Sequence, residues 1–364
     1  MSQRPPATVG QRIEDVDTPA LILELDAFEK NLDTLARAVA GRTRVRAHAK
    51  THKCPEIAKR QIAAGAVGVC CQKVSEAEAL IEGGVRDVLV SNELVGPAKI
   101  ARLAALSQRA QLGVCVDNLD NLRQIAATGA RLDVYIELEV GMGRCGIAPG
   151  EPALALAREI VRSPNLRFGG LQAYHGRAQH VRSMAERRAC IAGAAEAVRA
   201  TKRVLEKEGI TTPLVTGAGS GTFMFEVESG AWDEIQPGSY IFMDVDYARN
   251  EWAAPLPRFQ HALFVLATVM SRPSAGAAIV DAGLKASSVD SGMPTLWGKE
   301  GLRYTKASDE HGFIEGREPP RLGEKLLLVP GHCDPTVNLY DWYVCVRRNL
   351  VEALWPITAR GALL

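Results

Sequence analysis

The sequence predicts an α/β protein: a (β/α)8 barrel followed by a smaller, mostly β domain. Three observations lead there. Through roughly the first two-thirds of the chain, short apolar runs alternate with helical stretches of ten or more residues. Eight such units fall within about 220 residues, which suits a closed parallel barrel. After Trp252-Ala-Ala-Pro-Leu-Pro the long helices stop while strand-like runs continue. A doubly wound open sheet accounts for six or seven of the units equally well. A length of 364 residues fits a barrel plus a second domain.

Met1-Ser-Gln-Arg-Pro-Pro opens a tail, 1–16, that reads as short and disordered. Residues 20–25 are apolar and read as a strand. Asp26 and Glu29 have capping-box spacing, and Phe28, Leu32, Leu35 and Val39 continue at helical spacing. The eight strand-like runs are 44–50, 68–71, 87–91, 112–117, 134–140, 168–174, 213–217 and 235–243. Helical patterns at 55–64, 75–82, 97–108, 119–127, 152–161 and 186–208 separate most of them. Pro55, Pro97 and Pro152 suit helix first turns. These units give a barrel over 26–252. Beyond it, 261–271, 277–281, 325–329, 343–347 and 351–355 read as strands of a second domain, 253–364.

A net charge of +1 with 23% charged residues gives no basic tract for nucleic acid. No apolar run has the length of a membrane span, and the first residues lack a signal-peptide core. The eight cysteines lie mostly in apolar runs without a CxxC pair, so a reducing, cytoplasmic setting is expected.

Barrel enzymes carry their chemistry at the C-terminal ends of the strands. The first run ends in Arg46-Ala-His48-Ala-Lys50, and alternation puts Arg46, His48 and Lys50 on the inward face. Desolvation lowers a lysine pKa and favours reaction with an aldehyde, although Lys50 alone reads first as half of a buried ion pair. Gln72 and Lys73, Asn92 and Glu93, Asp117, and Gln172-Ala-Tyr174-His175 end other runs, with His180 close behind. Several polar residues at one end suggest a ligand site. Gly141-Met-Gly143-Arg144-Cys-Gly146 has the G-x-G-x-x-G form of a dinucleotide loop. Its place in the fifth unit and the Pro149-Gly150 break argue against that reading. An arginine there suits a small anionic or phenolic group. Thr216-Gly217-Ala-Gly219-Ser220-Gly221-Thr222 and Pro237-Gly238-Ser239-Tyr240 end the last two runs. Each alone reads as a tight turn. Opposite a lysine, they suggest one ligand bearing both an aldehyde and a phosphate. In Gly331-His332-Cys333-Asp334-Pro335-Thr336, His332 and Asp334 project together if the segment is extended, a pair suited to a divalent metal or to satisfying a turn. Asp309-Glu310-His311-Gly312 is a second polar cluster.

Jointly, 46–53, 68–73, 139–146, 172–176 and 331–336 resemble the D-threonine aldolase, 3-hydroxy-D-aspartate aldolase and D-serine dehydratase group, in order from about Asp17 to the C-terminus. That resemblance implies a barrel of the alanine racemase N-terminal type binding pyridoxal 5'-phosphate, and a β domain that also takes 17–25. By motif, Lys50 would form the Schiff base and Arg144 would meet the phenolic oxygen. Gln72 and Tyr174 would lie near the cofactor. Thr216, Gly219, Ser220, Gly221, Gly238, Ser239 and Tyr240 would surround the phosphate. His332 and Asp334 would hold a divalent metal, manganese or magnesium first and zinc or cobalt as alternatives. His180 would reach the substrate hydroxyl. The family often has proline at position 47 and glycine at 218; this chain has Ala47 and Ala218.

The resemblance therefore implies retro-aldol cleavage of a small D-3-hydroxy amino acid, D-threonine or 3-hydroxy-D-aspartate, to glycine and an aldehyde, by a homodimer. The alternative is dehydration of D-serine or D-threo-3-hydroxyaspartate. Dehydratases of the group carry a histidine and a cysteine two apart, suited to zinc; Asp334 is a harder ligand and tilts the reading to the aldolase. Racemisation needs no metal and fits less well. A non-catalytic pyridoxal-phosphate-binding protein is the remote alternative. Arg177 and His311 are the residues available to meet a β-carboxylate.

Overall fold

In the computed structural model, which describes residues 4–364, the first strand stays outside the barrel. β1 (Ala20–Glu24) runs antiparallel to β10 (Leu263–Ser274) and parallel to β16 (Trp342–Arg347). Its first four residues are buried, as in a central strand covered on both faces. α1 (Leu25–Val39) follows at once. Its N-cap is Glu24, whose carboxylate accepts from the Ala27 N–H at 2.6 Å. The expected cap at Asp26 is therefore displaced: Asp26 and Glu29 instead pair with Arg347.

The barrel closes in chain order through β2 (Arg44–His48), β3 (Gly68–Cys71), β4 (Asp87–Glu93), β5 (Gln111–Val116), β6 (Leu132–Leu138), β7 (Leu166–Ala173), β8 (Val215–Gly217) and β9 (Glu234–Ile235). All eight neighbouring pairs are parallel, which excludes the open sheet. Amphipathic helices α2 (Pro55–Ala63), α3 (Val74–Glu82), α4 (Pro97–Leu106), α5 (Leu119–Ala126), α6 (Glu151–Arg162) and α7 (Met184–Lys207) surround it, and the main apolar core fills the space between strands and helices. Inside the barrel, Cys70, Leu89, Cys115, Tyr135 and Leu214 form a small plug. Arg46 lies buried in the barrel, paired with Glu234 at 2.9 Å and Asp87 at 2.6 Å. A buried guanidinium is tolerated because both carboxylates face it.

The eighth run differs from expectation. Only two residues form β9, which pairs with β2 and β8; Pro237 has no N–H to extend the ladder, and Ser239–Ile241 turn into a 3-10 helix. α8 (Phe223–Ser229) and α9 (Val245–Ala248) are short helices in the last loops.

The second domain continues with β11 (Ala277–Val280), β12 (Thr295–Leu296), β13 (Leu302–Ala307), β14 (Gly312–Gly316), β15 (Lys325–Val329), α10 (Cys333–Val337) and β17 (Leu350–Pro356). Its main sheet runs β13-β14-β11-β10-β1-β16-β17, with β15 joining β10 to β12. The β13–β14 hairpin was not apparent in the sequence because polar residues alternate through it and glycines bound β14. Asp309, Glu310 and His311 form its turn, with Glu310 paired to Lys285 at the surface.

Of the N-terminal segment, residues 4–16 pack against the second domain; residues 1–3 lie outside the described residues. Gly10, Gln11 and Ile13 hydrogen-bond to Val351 and Asn349, and Ala7 and Val16 are buried in the second domain's own core. In place of the disordered tail expected over 1–16, the described residues 4–16 form an edge cover for β17. All eight cysteines are free thiols, six of them buried. Among the described residues no helix is long and apolar enough to cross a membrane.

Candidate active site

A cavity of about 380 Å3 opens at the C-terminal ends of the barrel strands, with the start of α10 on its wall. Its size suits a small ligand. Lys50, Gln72, Arg144, Tyr174, His180, Gly219, Ser220, Gly238, Ser239, His332 and Asp334 all line it. Three predicted residues do not. Thr216 lies below, donating to Glu234 at 2.9 Å. Gly221 turns its N–H to the Gln179 side chain at 2.9 Å. The Tyr240 ring is buried elsewhere, its hydroxyl accepting from Gln61; only its backbone N–H reaches the site, bonding to the Ser220 hydroxyl at 2.9 Å.

Lys50 stands just past β2, and its amine pairs with the Asp334 carboxylate. Burial disfavours the ammonium, but Asp334, then Tyr174, outweigh it, so the pKa is raised. The lowered value expected from desolvation alone is thus reversed by a carboxylate from the other domain. Asp334 is in turn held well below the usual range: burial opposes this, and Lys50 and His332 overcome it. Beneath Lys50, His48 is kept neutral by burial, then by Lys50. Its Nε2 lies 3.0 Å from the Gln72 amide nitrogen and 3.3 Å from the Ser91 hydroxyl. Gln72 is anchored by its own N–H to Glu76 at 2.8 Å, whose other oxygen pairs with Lys53 at 2.5 Å.

Across the cavity the 141–146 loop presents Arg144, 3.9 Å from Glu137. The Glu139 carboxylate accepts from the N–H groups of Gly141, Gly143 and Arg144. These donors are spent within the loop, so it is not a phosphate cradle, in keeping with the rejected dinucleotide reading. Burial raises the Tyr174 pKa and keeps it a neutral phenol.

The opposite wall has the character of an anion site. Among the described residues, no hydrogen bond engages the backbone N–H of Gly219, Ser220 or Ser239. A Cβ at Gly219 would sit 2.5 Å from the Gln179 side chain, and one at Gly238 would sit 2.4 Å from the Thr51 hydroxyl. Free N–H groups, packed small residues and a lysine just past the neighbouring strand β2 fit a phosphate-bearing aldehyde such as pyridoxal phosphate.

His180 and its supports come from two loops. Its Nδ1 meets the Asp246 carboxylate at 2.5 Å, leaving Nε2 as the free ring nitrogen. Asp246 also pairs with Arg182. Burial raises the Asp246 carboxyl, but His180 and Arg182 prevail and hold it at about 2. Asp246 and Arg182 escaped sequence reasoning, because nothing local links 180 to 246.

The His332-Cys333-Asp334 segment is not extended. His332 is the N-cap residue of α10 and Asp334 lies in the first turn, yet both face the cavity. His332 Nδ1 bonds to Asp290 at 2.8 Å, which leaves Nε2 available. One imidazole nitrogen and one carboxylate are a reasonable but partial donor set for a divalent cation. Among the described residues no group of three or more His, Cys, Asp or Glu side chains forms a metal cage, so other ligands would be water or substrate. His311 stands in the β13–β14 turn, outside the cavity lining.

Residues 23–246 match the alanine racemase N-terminal domain family, and 262–346 match the putative serine dehydratase domain. The chain is 48% identical to D-threonine aldolase of Arthrobacter sp., covering 98% of this chain and 96% of that one. It is 45% identical to 3-hydroxy-D-aspartate aldolase of Paracoccus denitrificans, covering 98% and 95%. D-threo-3-hydroxyaspartate dehydratase of Delftia sp. is more distant, at 29% identity over 93% and 97%. The crystal structure of D-threonine aldolase from Filomicrobium marinum superposes with a TM-score of 0.97 at 50% identity, covering 99% of this chain and 100% of that one. With motifs, fold and cavity in agreement, the chain belongs to the alanine-racemase-like family of D-threonine and 3-hydroxy-D-aspartate aldolases.

Proposed function

We propose that this protein is a pyridoxal-phosphate- and divalent-metal-dependent lyase that cleaves D-3-hydroxy amino acids to glycine and an aldehyde. One observation carries the reading: a single cavity joins Lys50, the His180–Asp246 pair and the His332/Asp334 pair. Pyridoxal phosphate on Lys50 would supply an electron sink for the breaking Cα–Cβ bond, and a cation on His332 and Asp334, manganese or magnesium by donor hardness, would acidify the β-hydroxyl.

The chain's own residues then have separable tasks. With its Nδ1 engaged by Asp246, His180 has Nε2 left to accept the β-hydroxyl proton. The imidazolium that forms is stabilised by the same carboxylate. Arg144 lies where it can meet a phenolic oxygen, and the Gly219–Ser220 and Gly238–Ser239 segments offer N–H donors for a phosphate. Tyr174 and the neutral His48 line the cavity between these groups. The Gln172 and Gln236 amides close the floor, bonded to each other at 2.8 Å.

The assay uses purified protein with added pyridoxal phosphate and manganese. D-threonine and 3-hydroxy-D-aspartate are supplied separately, with L-isomers as controls. Glycine plus an aldehyde from D-substrates only, lost on chelation, is the expected result. Ammonia with a keto acid would instead establish dehydration and overturn the assignment from Asp334.

A further inference from the structure

Arg177 also lines the cavity, and it has no task in the reaction just described. It opens the 3-10 helix Arg177–His180, of which His180 is the last residue. Such a helix has three residues per turn, so side chains at i and i+3 eclipse. Arg177 and His180 therefore project along one line into the same space. The turn is held firmly. Gln179 bonds through its N–H to Gly176 at 3.1 Å, and its side chain joins Thr222 at 2.7 Å and Gly221 at 2.9 Å.

The guanidinium rests on the 141–146 loop. A Cβ at Gly143 would lie 2.8 Å from Arg177 Nη2, and Gly143 has φ +65°, so the loop is shaped to let the guanidinium lie there. The loop's nearby acid, Glu139, is already committed to three backbone N–H groups. Among the described residues, Arg177 makes no ion pair or hydrogen bond through its side chain. A planar cation is thus left facing the cavity, geometrically suited to a carboxylate.

The substrate's β-carbon carries both the hydroxyl and the variable substituent. If His180 meets the hydroxyl, Arg177, one 3-10 turn before it on the same cavity wall, is placed to meet the substituent. We propose that Arg177 binds a β-carboxylate, so that the cavity prefers 3-hydroxy-D-aspartate over D-threonine. This inference rests on the aldolase reading for the substrate's orientation. The methyl of D-threonine would give the guanidinium nothing to bond.

The test compares holoenzyme with Arg177→Gln and Arg177→Lys on both substrates. In wild type kcat/KM favours 3-hydroxy-D-aspartate, and the ratio of the two kcat/KM values falls at least about tenfold in Arg177→Gln, through KM, with Arg177→Lys between. Equal losses on both substrates would move the arginine to the shared α-carboxylate and overturn the proposal, as would no change on either. A binding readout separates this from the aldolase assignment. D-aspartate and D-alanine lack the hydroxyl and cannot be cleaved. Followed by the holoenzyme's absorbance, D-aspartate binds at least about tenfold tighter than D-alanine, and Arg177→Gln abolishes the difference. If that difference is present without aldolase activity, only the functional reading falls. If cleavage occurs without it, only the role of Arg177 falls.

Discussion

At the residue scale, His180 depends on a partner 66 positions away. Asp246 fixes the ring through Nδ1, and Arg182 fixes Asp246. His180→Ala should lower kcat by about 10²- to 10⁴-fold, the usual worth of a positioned general base. Asp246→Asn keeps the shape and removes the charge, so a smaller loss in kcat is expected, with KM little changed. Steady-state kinetics on the better D-substrate reads both. The carboxyl of Asp246 lies at about 2, below its ordinary 3.8. The folded chain therefore binds that proton less readily than the unfolded chain. The resulting stabilisation is complete above about pH 4 and is lost as pH falls through about 2. Asp246→Asn should accordingly narrow its Tm deficit against wild type across that acid range. Lys50 is visible in the sequence as a polar residue at the end of a strand-like run, and His180 as one close behind another. The Lys50–Asp334 pair and the Asp246 support are not, because long-range contacts set them.

Among the secondary elements, the short α9 fastens the barrel to the start of α10, which carries the His332/Asp334 pair. Asp244 caps it, accepting from the Tyr247 N–H at 2.9 Å, and its other oxygen accepts from the Cys333 N–H at 3.0 Å. Val245 and Asp246 donate to the carbonyls of Pro330 and Gly331. One turn of helix thus sets both His180, through Asp246, and the loop carrying His332 and Asp334. Asp244→Ala leaves the Cys333 N–H unpaired in a buried place. Manganese affinity, measured by titration calorimetry, should weaken about 10- to 100-fold, as for other losses of support around metal ligands. Unchanged affinity would show that α10 holds its geometry alone. Ala218, where the family resemblance implies glycine, adopts φ 69°, a left-handed conformation that costs a non-glycine residue of the order of 1 kcal/mol. That strain sits beside the Gly219–Ser220 segment.

For the whole molecule, the second domain is a sheet assembled from both ends of the chain. β1 sits between β10 and β16, and residues 10–13 border β17. Removing residues up to 16 would uncover that edge and strip Ala7 and Val16 from the domain's core. Such a truncation should lower Tm by on the order of 5 °C, read by calorimetry of the holoenzyme. Its cavity lies elsewhere, so the kinetic constants at 25 °C should change little.

Closure into a barrel rather than an open sheet was settled by the strand pairing, whereas periodicity gave the alternating β/α units and the β domain after residue 252, and the family resemblance named most of the residues that meet at the cavity. Those features are local: inward and outward faces alternate within one strand, and glycine-rich turns announce themselves where they stand. Tertiary structure decided what depends on approach through space. It brought Asp334 onto Lys50 and reversed the direction of the lysine's pKa, turned Thr216, Gly221 and the Tyr240 ring away, and left His311 outside a cavity that Arg177 and His180 share. An ion pair or a protonation state is set by distance and burial, and neither is fixed until the two domains pack against each other.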